Sequence, residues 1–313
     1  MMSTSKPSRS IGESGEEGKL NKNSMRYIKG QSLSRNNKSL RPDKLCKLQR
    51  LFDSKSWPII DGVERSLFSK FCKMLEILNE TQQDFIIALT YDFIWIKGSE
   101  YDHILVDVAR NAKNTIGDKT IYFVPCKPKE DFIKVKSSDY VWYTLRDNIF
   151  RFETDLGKFE MKNNFEEVNE DELLAGRAVV VLVDDFVGTG GTCRKVIGDL
   201  RKSLTRLQDN NAIKILTLVA QQEGINQMKA AGVEIFYGRV APKAIEESSK
   251  SDDEKYKSYV LMDQIEARIP NLDKKYKYGY YESEALVSMV RCPNNTFPIY
   301  WYIPNVSPYE RIQ

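Results

Sequence analysis

The sequence predicts an α/β fold, a mainly parallel sheet flanked by helices and preceded by a helical extension. Three observations carry this. Beyond about residue 117, short β-rich runs alternate with helix-patterned stretches; one run, Val179–Val183, is aliphatic at every position; and between residues 43 and 116 apolar residues recur at helical spacing. Strands alternating with helices imply βαβ crossovers, and an unbroken aliphatic run implies a strand covered on both faces.

Along the chain, residues 1–42 are rich in Ser, Asn, Gly and Lys, and through residue 40 eight basic side chains face three glutamates. With few apolar groups to offset ordering entropy, this segment is expected to be a disordered basic tail, suited to tracking the phosphates of RNA or DNA. Residues 43–116 form the helical region, with Leu45, Leu48, Leu51 and Phe52, then Leu67, Phe68, Phe71, Met74, Leu75 and Leu78 on buried faces. Trp57, Phe93 and Trp95 are expected to pack there. Residues 117–313 form the α/β domain, with strands at 120–125, 140–144, 179–183, 213–220 and 233–237. Its helices are expected at 192–207, 224–231 and 252–269, and a closing C-terminal segment follows.

Composition removes several classes. The chain has 313 residues, 41% hydrophobic and 29% charged, ordinary values for a globular protein. No apolar run approaches the roughly 18 residues of a membrane span, and the first residues lack the apolar stretch of a secretory signal. A cytoplasmic protein with no membrane partner is expected. The five cysteines include no close pair, which argues against a disulfide framework or a CxxC site. His103 is the sole histidine, so His-based triads and His-rich metal sites are excluded apart from pairs built on that residue.

The chemistry concentrates in Val179–Thr192, VVVLVDDFVGTGGT. A buried parallel strand opens at its carboxyl end onto a ligand crevice, and Asp184 and Asp185 stand at that end. Adjacent buried carboxylates need a metal or hydroxyl donors to offset their desolvation. Gly188, Thr189, Gly190, Gly191 and Thr192 then lead into a helix, where backbone N–H groups, hydroxyls and the helix dipole suit a phosphate. The order of acids and glycines matches neither a Walker loop nor a dinucleotide fingerprint.

This segment resembles the phosphoribosyl-pyrophosphate (PRPP) motif of type I phosphoribosyltransferases. The resemblance implies that Asp184 and Asp185 hold the ribose hydroxyls and, with Mg2+, act at the reacting centre, while Gly188, Thr189, Gly190, Gly191 and Thr192 bind phosphate. It also implies a pyrophosphate loop, for which Lys136, Ser137 and Ser138 are the candidates, and a mobile flap over 146–169. Gly188 occupies the position at which 6-oxopurine enzymes carry a base-contacting aspartate, so that specificity has no support. The helical extension, the motif and the segment Pro293-Asn294-Asn295-Thr296 with Pro298 and Trp301 together resemble the phosphoribosyltransferase-like effectors of bacterial conflict systems, some of which accompany reverse transcriptases in retrons. The implied activity is displacement at C1′ of PRPP by an unnamed acceptor or by water. Implied partners are a reverse transcriptase with its RNA or DNA, and self-association is compatible. A nucleobase salvage transferase and a non-catalytic phosphosugar-sensing, nucleic-acid-binding module stand as the alternatives.

Overall fold

The computed structural model describes residues 40–60, 66–152, 157–207 and 210–311. The expected basic tail lies outside them, apart from its last three residues. Three helices open the described chain: α1 (Pro42–Ser54), α2 (Leu67–Glu76) and α3 (Glu80–Thr90). Their starts follow local chemistry. Pro42 presets the first turn of α1, the Ser66 hydroxyl caps α2, and Asn79 with Gln82 forms a capping box on α3.

The main sheet has five parallel strands in the order β3 (Phe159–Met161), β2 (Thr120–Pro125), β4 (Ala178–Val187), β5 (Ile213–Ala220) and β6 (Glu234–Val240). All ten residues of β4 are buried, as the aliphatic run requires of a central strand. Helices α4 (Gly98–Ile116) and α5 (Ser137–Phe152) cover one face, where Leu105, Val108, Val141 and Leu145 meet Val179, Val181 and Val183. The short α6 (Glu170–Leu174), α7 (Gly191–Ser203) and α8 (Gln222–Ala230) cover the other, where Leu173, Val196, Leu200 and Met228 meet Val180 and Leu182.

A second core lies outside the sheet. Leu45, Leu48, Phe52, Phe71 and Met74 of the first helices pack with Met262 and Ile265 of α9 (Asp252–Glu266) and with Phe297, Ile299 and Tyr300. Beside it, β1 (Ile94–Trp95) and β7 (Val287–Ser288) form a two-stranded parallel ribbon. The segments 43–116 and 117–313 therefore share both cores. Helix α4 belongs to the sheet, and the first three helices belong with the C-terminal segment.

One expectation needs correction. Residues 140–144, expected as a strand, lie inside α5: Val141, Leu145 and Asn148 are buried at helical intervals while Tyr140 and Tyr143 are exposed. The β-forming types in YVWYT misled, because packing of one helical face outweighs propensity. The described part of 146–169, the expected flap, carries regular structure. It contains the end of α5 and then β3, which pairs in parallel with β2 at the sheet edge. Trp57 and Phe93 are buried and interlock with Trp95, as the sequence suggested.

Candidate active site at the carboxyl end of the central strand

The crest of β4 passes directly into the turn that starts α7. Gly190 is the N-cap residue with φ of 74°, a left-handed conformation that a side chain would strain. Helix geometry leaves the N–H groups of Gly191, Thr192 and Cys193 without an intrahelical acceptor, and Gly191 and Thr192 are exposed. The turn is thus an open anion cradle with the positive end of a 13-residue helix behind it.

Gly188 is buried for a different reason. A Cβ there would sit 2.3 Å from Nδ2 of Asn295, which itself donates to the Ser283 hydroxyl at 3.0 Å. The loop leaves no room for the aspartate of the 6-oxopurine pattern. Gly224, in the first turn of α8, presses from below, since a Cβ there would fall 2.3 Å from the Gly188 carbonyl oxygen.

Asp184 and Asp185 are both buried, and they diverge across the strand. Asp184 faces the side of Cys126 and Cys193, and its carboxylate accepts the Asp185 amide at 2.9 Å. Asp185 faces Ser137, whose hydroxyl donates to it at the start of α5. Burial pushes both carboxyls up, Asp184 well above the usual range, with the neighbouring Asp185 charge as the next cause. The pair accordingly retains a proton that an exposed aspartate would release. Nearby, the hydroxyls of Ser138 and Tyr101 are buried without a partner, and the Tyr101 phenol is pushed up by burial and then by Asp185 and Asp184. An unpaired Tyr101 hydroxyl beside two buried acids without a counter-charge forms a polar site built for something additional.

The segment after β2 reaches the same place. Lys127 is its organiser: the buried ammonium pairs with Asp139 at 2.8 Å and donates to the carbonyls of Phe132 and Lys134. Lys195 of α7 pairs with Glu130, Asp199 accepts the Lys129 amide at 3.2 Å, and the Cys126 and Cys193 sulfurs lie 3.8 Å apart as free thiols. Of the three loop candidates, Ser137 is brought to Asp185, and Ser138, the next residue, is buried. Lys136 is held elsewhere, its ammonium 3.2 Å from Asp131.

A cavity of about 910 Å³ runs along this crest, walled by Phe186 through Lys195 on one side and by Lys275, Tyr276, Tyr280, Tyr281, Asn294 and Asn295 on the other. The sequence pointed to Asn294 and Asn295 only as part of the closing segment and left out the tyrosines, whose clustering beside it was the available signal. Glu284, buried, fastens this hood by accepting the amides of Ile245 and Glu246 and the Tyr259 hydroxyl. Trp301 donates its indole N–H to the Thr296 carbonyl at 2.7 Å and meets Tyr276 edge to face. Among the described residues, no group of three or more His, Cys, Asp and Glu is arranged to hold a metal, and no helix is long and apolar enough to cross a membrane.

A family model described as PRTase-CE matches residues 79–311. Among solved structures, the AQ2163 protein from Aquifex aeolicus is 14% identical, with 56% of this chain and 84% of that chain covered and a TM-score of 0.27. A purine phosphoribosyltransferase from Pyrococcus horikoshii Ot3 is 14% identical, with 51% and 99% covered and a TM-score of 0.24. No curated protein matches the chain.

Proposed function

We propose that this chain, which belongs to the PRTase-CE family, binds PRPP or a related ribose phosphate at the β4–α7 crest and catalyses displacement at C1′. One observation carries the reading: two buried carboxylates without a counter-charge end the strand, and the very next residue, Phe186, begins the wall of a single cavity that runs on to the open helix N-terminus. A ribose phosphate carries hydroxyl donors for the first and a dianion for the second.

In the reaction the C1′–O bond to pyrophosphate breaks with its electron pair on the leaving oxygen. A lone pair from the acceptor, or from water, forms the new bond, and the acceptor's proton passes to solvent. Positive charge grows on the ribose meanwhile, and Asp184 and Asp185 stabilise it. The Gly191, Thr192 and Cys193 amides hold the 5′-phosphate, with the hydroxyls of Thr189 and Thr192 as further donors. Gly188 admits the backbone close to the ligand. Ser137 and Ser138 orient the leaving side, and Lys136 joins them once released from Asp131.

Mg2+ suits the acids, since it takes one or two carboxylates and keeps several waters, and the orphaned Tyr101 and Ser138 hydroxyls suit such a hydrated ion. When bound it would supply charge neutralisation between the acids and the pyrophosphate. The wider role we propose is that of an effector in a bacterial retron-type antiphage system, acting in the cytoplasm with a reverse transcriptase and its RNA or DNA. The sequence resemblance supports that role.

The test is incubation of purified protein with labelled PRPP and Mg2+, with and without cell extract, followed by product identification. Release of pyrophosphate that disappears in the Asp184→Asn, Asp185→Asn double variant is expected. Tight PRPP binding with no product in any extract would instead favour a phosphosugar sensor, and absence of binding would end the proposal.

A further inference from the structure

A second cavity, of about 660 Å³, lies away from the crest, between the first turn of α2 and the C-terminal segment. Its walls bring together Lys70, Arg291 and Arg311, with Trp95 and Tyr309 beside them and Glu310 as the only acid. Among the described residues none of the three cations forms an ion pair.

Arg311 is the informative member. Its Nε is buried with no hydrogen-bond partner, its guanidinium lies 5.3 Å from the Trp301 ring centre, and the Tyr309 hydroxyl is also buried and unpartnered. Burial holds the Arg311 guanidinium below its usual range, and the like charge of Arg291 adds to this. A half-buried guanidinium next to a second one, with a donor pointing at nothing, is an arrangement that an anion relieves. The N-terminal end of α2, capped by Ser66 and with its first residue Leu67 lining the cavity, turns the positive pole of the helix to the same place.

We propose that this cavity is a second anion site, which binds the phosphate group of a small phosphorylated molecule on Lys70, Arg291 and Arg311. The forked donors of two arginines match phosphate oxygens, and the aromatic wall of Trp95 and Tyr309 gives room for an attached ring. A 5′-nucleotide and free inorganic phosphate share this chemistry. The site is linked to the crest. The Arg311 amide donates to the Trp301 carbonyl, Trp301 touches Tyr276 of the main cavity, and Asp185 lies within the electrostatic reach of Arg311.

The experiment is calorimetric titration of the full chain with adenosine 5′-monophosphate and, separately, with inorganic phosphate. Three proteins are compared: the wild type, the Lys70→Gln, Arg291→Gln double variant, and Thr192→Glu, which places a carboxylate in the phosphate cradle of α7. Arg291 is exposed and Lys70 partly so, which leaves the fold intact, as circular dichroism will verify. Binding that persists in Thr192→Glu but weakens at least tenfold in the double variant is expected. Tighter binding of the nucleotide than of phosphate identifies a nucleotide site, and equal affinities identify a phosphate site. Binding unchanged in the double variant, or lost entirely in Thr192→Glu, would overturn the proposal without touching the reading of the crest.

Discussion

Replacing Asp184 with Asn will stabilise the ligand-free protein while removing ribose binding. The carboxyl is 9% exposed, accepts the Asp185 amide at 2.9 Å and has its proton affinity raised by burial. Asn keeps the acceptor oxygen for that amide, and its NH2 offers Asp185 the donor that a protonated Asp184 would offer. It therefore mimics the protonated acid. Because the folded value lies above the unfolded one, the native state holds a proton that the unfolded chain releases as pH rises above about 4. Wild-type stability then falls with rising pH, by about 1.4 kcal/mol for each pH unit of that window. The variant lacks the share of that slope that Asp184 contributes, while the raised Asp185 keeps its own, so the two proteins separate as pH rises above about 4. The gap stops widening once the pH passes the raised folded value of Asp184. Thermal melts from pH 4.5 to 8, with and without PRPP and Mg2+, read both effects. Each kcal/mol moves the midpoint by roughly 2–4 °C. Ligand at a hundredfold over its Kd adds about 2.7 kcal/mol to the wild type alone. A variant less stable than wild type at pH 7.5, or a gap independent of pH, would refute the reasoning.

Gly224→Ala drives a Cβ to 2.3 Å from the Gly188 carbonyl oxygen and 2.9 Å from Val187, so the phosphate loop must shift. A loss of about 1–3 kcal/mol in urea denaturation, together with weaker PRPP binding by calorimetry, is expected. Glu266 accepts the Tyr278 amide at 3.0 and 3.1 Å, and burial pushes its carboxyl up to about 8. Its contribution is present below the unfolded value near 4.5 and is lost as pH rises toward about 8. Glu266→Gln should therefore flatten the stability profile across that window, as denaturant midpoints at pH 5, 6.5 and 8 will record. A midpoint series parallel to wild type would contradict it.

Much of the crest was legible because the relevant chemistry is local. Val179–Val183 is aliphatic at every position, so a central strand followed; the glycines and threonines follow without a gap, so the helix mouth followed. The helices of the extension were legible for the same reason, through the spacing of their apolar residues. Residues 140–144 were not, because five β-forming side chains in succession conceal that only Val141 and Leu145 find a core. Lys136 was chosen for its charge, and nothing in its neighbours announces that Asp131 claims it. Lys127 and Tyr101 were passed over because their importance comes from burial beside groups 12 and more than 80 residues away in the chain.

By itself the sequence determined the order of elements, the burial of β4, and the contiguity of two acids with a phosphate-ready turn, since each depends on neighbours within a few residues. Tertiary structure decided which face each acid takes, what Gly188 must avoid and which cations lack a counter-charge. Those outcomes depend on side chains that meet only after folding, such as Asn295 against Gly188 or Arg311 against Trp301, and their desolvation cannot be read before the partners are known.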